Sequence, residues 1–504
     1  MTKNSQNHRG KLAQLCHVIG VWLGSNTFFA IILGIFIAQA LWIAWSGAFS
    51  MAYDEFFHLG IIQEYAKGWT PFIHQPAGPA VFGALERDPS FLYHYLMSFP
   101  YRVVVATLHA LTEQVIALRV LNIGLFVWGL FIYRKLIIRA GVSRRVAHII
   151  LLFFTLIPTV LMVAVQINYD NLMFVASGAA LLLTVTITLA LRRTKTILPM
   201  QSILLLTVLM AGSIVKYAFL PLAVTIGAFL IVQAVLAFRR KDISWQSIMS
   251  ETVTALRRPL GWIAITGFVA VGILFAQRIG GNIILYHNPA PNCGVVLSEA
   301  RCKAHAAYGR NEDYKANNYA AYVTTKNKQL YPKFWYTQMM QESFFAVGTR
   351  ELNYPLTSVL PTAYIAGRII MAVMMAFVIF GAFWLLRNPI WQLFVLGTLV
   401  YTGVLFFRNY SEYVELGVPV AIHGRYIIYF MPLVAAMAAT SASKYIRGWG
   451  RCIAYGCVTI LLGMMIMGGG WLPYMIRSAD SWMWPHAAPI NRTIRSALWQ
   501  YIPK

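Results

Sequence analysis

About eleven apolar runs, each long enough to cross a lipid bilayer as a helix, constrain this chain more than any other feature. A helix rises about 1.5 Å per residue, so roughly twenty residues span the hydrocarbon core. Runs near that length fall at 28–48, 117–135, 147–165, 171–191, 200–215, 217–237, 260–279, 361–385, 391–407, 425–442 and 452–472. Of the 504 residues 59% are hydrophobic and only 12% are charged, with a mean hydropathy of +0.61. A soluble domain carries about 25% charged residues. The expected fold is an all-α polytopic membrane protein, a bundle of about eleven transmembrane helices.

The net charge of +24 is dispersed between the apolar runs and not gathered into a patch. That pattern points to loops on the positive side of a membrane and to contact with anionic lipid, and away from nucleic acid. Arg134, Lys135, Arg139, Arg144 and Arg145 lie between the second and third runs. Arg192, Arg193 and Lys195 follow the fourth, Arg239, Arg240 and Lys241 the sixth, and Lys444, Arg447 and Arg451 precede the last. With a cytoplasmic N-terminal segment over 1–27 all of these fall inside. The first run exceeds a signal-peptide core and reads as an uncleaved anchor.

This orientation requires that Ser90 to Thr112 lie along the interface without crossing; its His94, Pro100, Arg102 and His109 suit that placement. The organisation expected is then a membrane region over 28–279 with a first outer loop at 49–116, and a long outer loop at 280–360. Membrane helices over 361–472 and an outer tail over 473–504 complete it. A loop of roughly eighty residues far exceeds the usual connection of about 4–6, and loops that long are usually functional or disordered. It holds Cys293 and Cys302, whose spacing suits a disulfide better than a zinc site and requires an oxidising compartment.

Charged groups at the edge of hydrocarbon are costly unless they have partners or work. Asp54 and Glu55 stand just beyond the first run, in Tyr53-Asp-Glu-Phe-Phe-His58. Asp170 lies in the turn Asn168-Tyr-Asp-Asn171, Lys216 between the fifth and sixth runs, and Arg425 at the head of the tenth, beside Tyr426. Each has a plainer reading. Asp170 between asparagines serves equally as a solvated turn, and Lys216 and Arg425 serve equally as side chains reaching for headgroups. His58 reads first as a polar neighbour one helical turn from Asp54, and Arg119 as a snorkelling anchor. Together, acids and cations on one membrane face suit transfer from a lipid-linked phosphate: an acid takes the proton of a hydroxyl, and cations hold the departing phosphate.

At these residues the chain resembles the GT-C superfamily of integral-membrane glycosyltransferases, which includes protein O-mannosyltransferases and the lipid A aminoarabinose transferase. Asp54-Glu55, Tyr65-Ala-Lys-Gly-Trp69 and Pro89-Ser-Phe-Leu-Tyr-His94 look like the family's acidic first outer loop. Asn168-Tyr-Asp-Asn171 looks like its second acidic site, and Gly212-Ser-Ile-Val-Lys216 like its glycine turn with a lysine. Gly424-Arg-Tyr426, with Pro432 beyond it, is similar to a stretch in bacterial members. The resemblance covers the chain to about Phe238 and again from Arg425, and lacks the compact C-terminal soluble domain of some relatives. It implies a polyprenyl-phosphate sugar donor, a glycan, lipid or protein acceptor, and displacement with inversion at the outer face of a bacterial inner membrane. Asp54 would act as base, with Glu55 and Asp170 positioning substrate or holding a divalent cation. Lys216 and Arg425 would bind the lipid phosphate, and His58, His94 and Tyr426 would line the substrate. The rival expectation, a transporter or lipid flippase, demands charges near mid-membrane and paired repeats with broken helices.

Overall fold

The computed structural model describes residues 14, 18–51, 54–196, 198–240, 245–257, 259–345, 361–446 and 449–499. The basic N-terminal stretch with Lys3, Arg9 and Lys11 lies outside them, as do Lys241 and Arg447. Among the described residues there is no β-strand, only an isolated bridge between Gly47 and Met483. Among the described residues seven helices are long and apolar enough to cross a membrane, eight if a bent pair is counted as one span. The remaining expected spans fall on shorter helices, at Pro199–Val215, within Pro361–Phe380 and at Met431–Tyr445.

The elements that build the site are α1 (Asn26–Ser46), α2 (Glu55–Ala66), α3 (Leu92–Thr107) and α4 (Leu111–Arg139). They continue with α5 (Arg144–Thr155), α6 (Pro158–Val165), α7 (Asp170–Leu189), α8 (Pro199–Val215) and α9 (Leu220–Arg239). Later come α10 (Pro259–Phe275), α11 (Thr325–Phe345), α12 (Pro361–Phe380), α13 (Pro389–Leu416), α14 (Met431–Tyr445) and α15 (Trp449–Gly468). α3 has 16 residues and packs on α2. It turns Leu96, Phe99 and Val103 outward, which suits a helix lying at an interface.

α5 and α6 form the bent pair, at 75° to one another. The break falls at Pro158, which cannot donate to the Phe154 carbonyl; that carbonyl accepts from Ile157 N at 3.2 Å, and the Leu156 carbonyl accepts from Gly470 N at 2.6 Å. Every side chain of α6 is buried. The bend therefore carries the chain into the interior and delivers the Asn168–Asn171 turn to the head of α7.

The two ends of the bundle differ in chemistry. Asp54 follows α1, Asp170 opens α7, Lys216 follows α8 and Arg425 precedes α14, all at one end. At the other end Arg134 donates to His148 Nε2 at 2.8 Å and to Asn26 Oδ1 at 2.6 Å, beside the basic start of α5. The long loop is folded where it is described: Tyr331, Trp335 and Met339 of α11 pack with Tyr413 and Ile422.

Candidate functional site

The first-loop acids are adjacent in sequence but meet different surroundings. Glu55 is fully buried and held by Arg119, whose Nε donates to Oε1 at 2.8 Å and whose Nη2 donates to Oε2 at 2.7 Å. Met51 N adds a bond to Oε2 at 2.8 Å, and Ile167 N one to Oε1 at 3.4 Å. Arg119 is itself fully buried and also donates to Ala44 O at 3.2 Å. The reading of Arg119 as a snorkelling anchor is thus corrected. It is the counter-ion that lets Glu55 lie inside, in a bidentate pair.

Asp54 occupies the left-handed region, with φ 68° and ψ 26°, a conformation that Asp tolerates better than most residues. Its side chain is 62% exposed and accepts from Arg425 Nη2 at 2.8 Å. Burial of its surroundings pushes the carboxyl up, but the Arg425 guanidinium outweighs that and holds it at about 2.

Asp170 is fully buried, so the solvated-turn reading is wrong. Lys216 Nζ lies 2.5 Å from its Oδ1, which also accepts from the Tyr429 hydroxyl. Arg425 Nε stands 3.8 Å from Oδ2. Arg425 thereby joins Asp54 to Asp170, and Asp170 joins Arg425 to Lys216. Neither cation reaches for headgroups: Lys216 is 3% exposed and Arg425 2%.

Local structure explains the convergence. The Asn168 side chain accepts from Asp170 N at 2.9 Å, closing the turn. Asn171 donates to Asn122 Oδ1 at 3.0 Å, and Tyr93 donates to the same oxygen at 2.8 Å, locking α7, α4 and α3 together. Lys216 is extended between α8 and a short 3₁₀ turn, with the Phe219 ring packed on Gly212, where a Cβ would stand 2.8 Å from it. Arg425 sits in a 3₁₀ turn at Gly424–Ile427, ahead of the tenth span and not within it. Tyr133 donates to Tyr429 O at 2.7 Å and seats that turn.

Aromatic rings sandwich the lysine: Lys216 Nζ is 4.6 Å from the Tyr169 ring and 4.4 Å from the Tyr426 ring. His58 also meets Tyr169, edge to face, with ring centres 4.5 Å apart. His58 Nδ1 and His94 Nε2 are 2.8 Å apart, and His94 Nδ1 faces the Ser90 carbonyl at 3.1 Å. A carbonyl only accepts, so His94 carries its proton on Nδ1 and His58 donates from its own Nδ1. His58 Nε2 is left buried as a lone pair with no hydrogen-bond partner. Burial holds this imidazole down to about 3, so it is neutral.

Among the described residues no group of three or more His, Cys, Asp and Glu side chains is placed to hold a metal. Asp54, Glu55 and Asp170 are each already matched by Arg425, Arg119 and Lys216. Elsewhere, Cys293 and Cys302 form the expected disulfide, with Cα atoms 5.7 Å apart.

Sequence reading missed Tyr169, Tyr429 and His305 as neighbours of these groups. Tyr169 lies inside the motif that drew attention to Asp170, and Tyr429 three residues past Gly424-Arg-Tyr426. For Arg119, the signal was an arginine near the head of an apolar run.

No family model and no curated protein matches the chain. Among solved structures it is similar to the oligosaccharyltransferase of Archaeoglobus fulgidus in complex with Zn and sulfate. That match has 13% identity, covers 87% of this chain and 53% of the other, and has a TM-score of 0.46. Similar matches are to the archaeal oligosaccharyltransferase AglB with an inhibitory peptide and a dolichol-phosphate (13%, 89% and 57%, 0.44) and to the Archaeoglobus fulgidus oligosaccharyltransferase tethered with an acceptor peptide (12%, 88% and 56%, 0.42). The chain spans just over half the length of these structures.

Proposed function

We propose that this protein is a GT-C type membrane glycosyltransferase that moves a sugar from a polyprenyl-phosphate donor to an acceptor hydroxyl. The observation that carries the reading is the continuous network Asp54–Arg425–Asp170–Lys216, drawn from four distant parts of the chain to one end of the helix bundle. A transporter would distribute such groups toward mid-membrane.

Lys216 and Arg425 bind the donor phosphate, and Asp170 with Tyr429 fixes the cations for that task. The acceptor oxygen attacks the anomeric carbon as the bond from that carbon to the phosphate oxygen breaks, with inversion. The electron pair leaves on the phosphate, and the acceptor proton passes to Asp54, the acid whose side chain is most open to an acceptor. At about 2 the resting Asp54 is a weak base. As Arg425 turns its hydrogen bonds to the departing phosphate, the influence holding the carboxyl down weakens and its basicity rises. Glu55 with Arg119 anchors the start of α2 and takes no part in the proton transfer. The basic end of the bundle faces the cytoplasm and the site faces outward.

The test is to give the purified protein in nanodiscs a panel of radiolabelled polyprenyl-phosphate sugars with membrane glycolipid and glycan acceptors. Labelled product and free polyprenyl phosphate are expected from the wild type and not from Asp54→Asn. Asn keeps the left-handed backbone accessible, so the variant isolates the charge. Undiminished turnover in Asp54→Asn removes it from the base role, and silence of the wild type across the panel removes the transferase reading.

A further inference from the structure

Between residues 278 and 305 the chain clasps the first outer loop. Arg278 Nη1 donates to Leu85 O at 2.9 Å, and Asn282 Nδ2 to Arg87 O at 2.9 Å. Arg301 donates to Pro76 O at 2.6 Å and Gly78 O at 2.8 Å, while Ala80 N donates to Arg301 O at 3.0 Å. The Cys293–Cys302 disulfide closes this segment and packs on Ala80 and Ala84. Cys302 is fully buried there.

The clasp delivers a side chain to the site. His305 N donates to Cys302 O at 2.9 Å, fixing the backbone three residues past Cys302. Its ring lies 5.4 Å from that of Phe57 and 3.8 Å from the Cβ position of Gly83. Phe57 is three residues from Asp54 on α2, and His305 is within electrostatic reach of the Asp54 carboxylate and of Arg310. The ring is half-buried, with Nδ1 enclosed and making no hydrogen bond. It comes to Asp54 from the loop, whereas Lys216 and Arg425 come from the helix ends.

We propose that the disulfide-clasped segment is the acceptor-side wall of the Asp54 site, and that His305 is a specificity residue that hydrogen-bonds a hydroxylated acceptor as its nucleophilic oxygen approaches Asp54. This rests on the transferase reading. An imidazole both donates and accepts, which suits a polyol better than a phosphate, and a disulfide with five backbone-carbonyl bonds holds it with the rigidity that positioning requires. The clasp also makes acceptor recognition depend on an oxidised Cys293–Cys302 pair.

The test combines kinetics with chemical labelling. With the acceptor that the wild type uses, His305→Ala should raise the acceptor KM roughly tenfold, the size of one lost hydrogen bond, and leave the donor KM unchanged; His305→Gln should recover part of it. Reduction of the wild type with a phosphine, or the double substitution Cys293→Ala and Cys302→Ala, should raise acceptor KM likewise. It should also speed carbethoxylation of His305 by diethyl pyrocarbonate, read by peptide mass spectrometry, several-fold. An unchanged acceptor KM in an active His305→Ala enzyme, or an equal rise in donor KM, overturns the role of His305 and leaves the transferase reading standing. Labelling that ignores the state of the disulfide overturns the clasp. A wild type that transfers nothing removes the transferase reading and the acceptor role with it.

Discussion

Asp54 and Glu55 are neighbours in sequence that the fold puts to opposite uses, and each has its own measurable signature. In Arg425→Met the main influence holding Asp54 at about 2 is gone. Its carboxyl should then titrate closer to the ordinary value of about 3.9. Carbon-13 NMR of labelled aspartate checks this. The sign follows from the depressed value. The Asp54–Arg425 pair contributes stability that is present above pH about 4 and lost as pH falls through about 2. Glu55→Gln leaves Arg119 buried without its charge partner, an error costing roughly 3–5 kcal/mol. Thermal unfolding in detergent should show a large loss in Glu55→Gln and in Arg119→Met, and a smaller loss in the double variant Glu55→Gln with Arg119→Met than the two single losses added. Simple additivity would mean that the pair is not coupled. The sequence made both acids conspicuous but could not separate them. Which acid meets Arg119 and which meets Arg425 depends on the left-handed turn at Asp54 and on helices that only packing brings near.

At the scale of elements, periodicity and length located the membrane helices well, because burial in lipid selects apolar residues directly. Two features escaped them. The run at 147–165 is broken at Pro158 into α5 and α6, and the run at 425–442 begins as a 3₁₀ turn, so Arg425 lies beside the bundle core and not along a helix face. Both are places where the backbone leaves the helix to present a polar group, which hydropathy alone does not register. The Arg425 turn is seated by α11. A Cβ at Gly424 would stand 2.0 Å from Ser343 N, a backbone atom that cannot swing aside. Thr159 of α6 also donates to the Glu342 carbonyl at 2.8 Å. Gly424→Ala should therefore force α11 and the turn apart, costing about 1–3 kcal/mol and weakening binding of polyprenyl phosphate. A melting temperature and a lipid-phosphate affinity equal to wild type would show that the contact is slack.

For the whole molecule, the segregation of acids with their partners to one end and of Arg134 and its basic neighbours to the other makes a sided assembly. In a background with Cys16, Cys452 and Cys457 changed to Ser, Lys328→Cys should react with an impermeant maleimide in intact cells. Arg240→Cys should react only after permeabilisation; the reverse pattern would turn the molecule over. The network also imposes a timetable on biosynthesis. Asp170 meets its lysine 46 residues later and Glu55 its arginine 64 later, but Asp54 must wait for an arginine 371 residues downstream. A nascent chain can thus pair two of the site's three acids while the ribosome is still making the second half, and the third lacks its cation until nearly everything has been inserted. A polypeptide stopped after α9 should accordingly be stable in the membrane yet inert, and wake when the missing part is supplied as a separate chain.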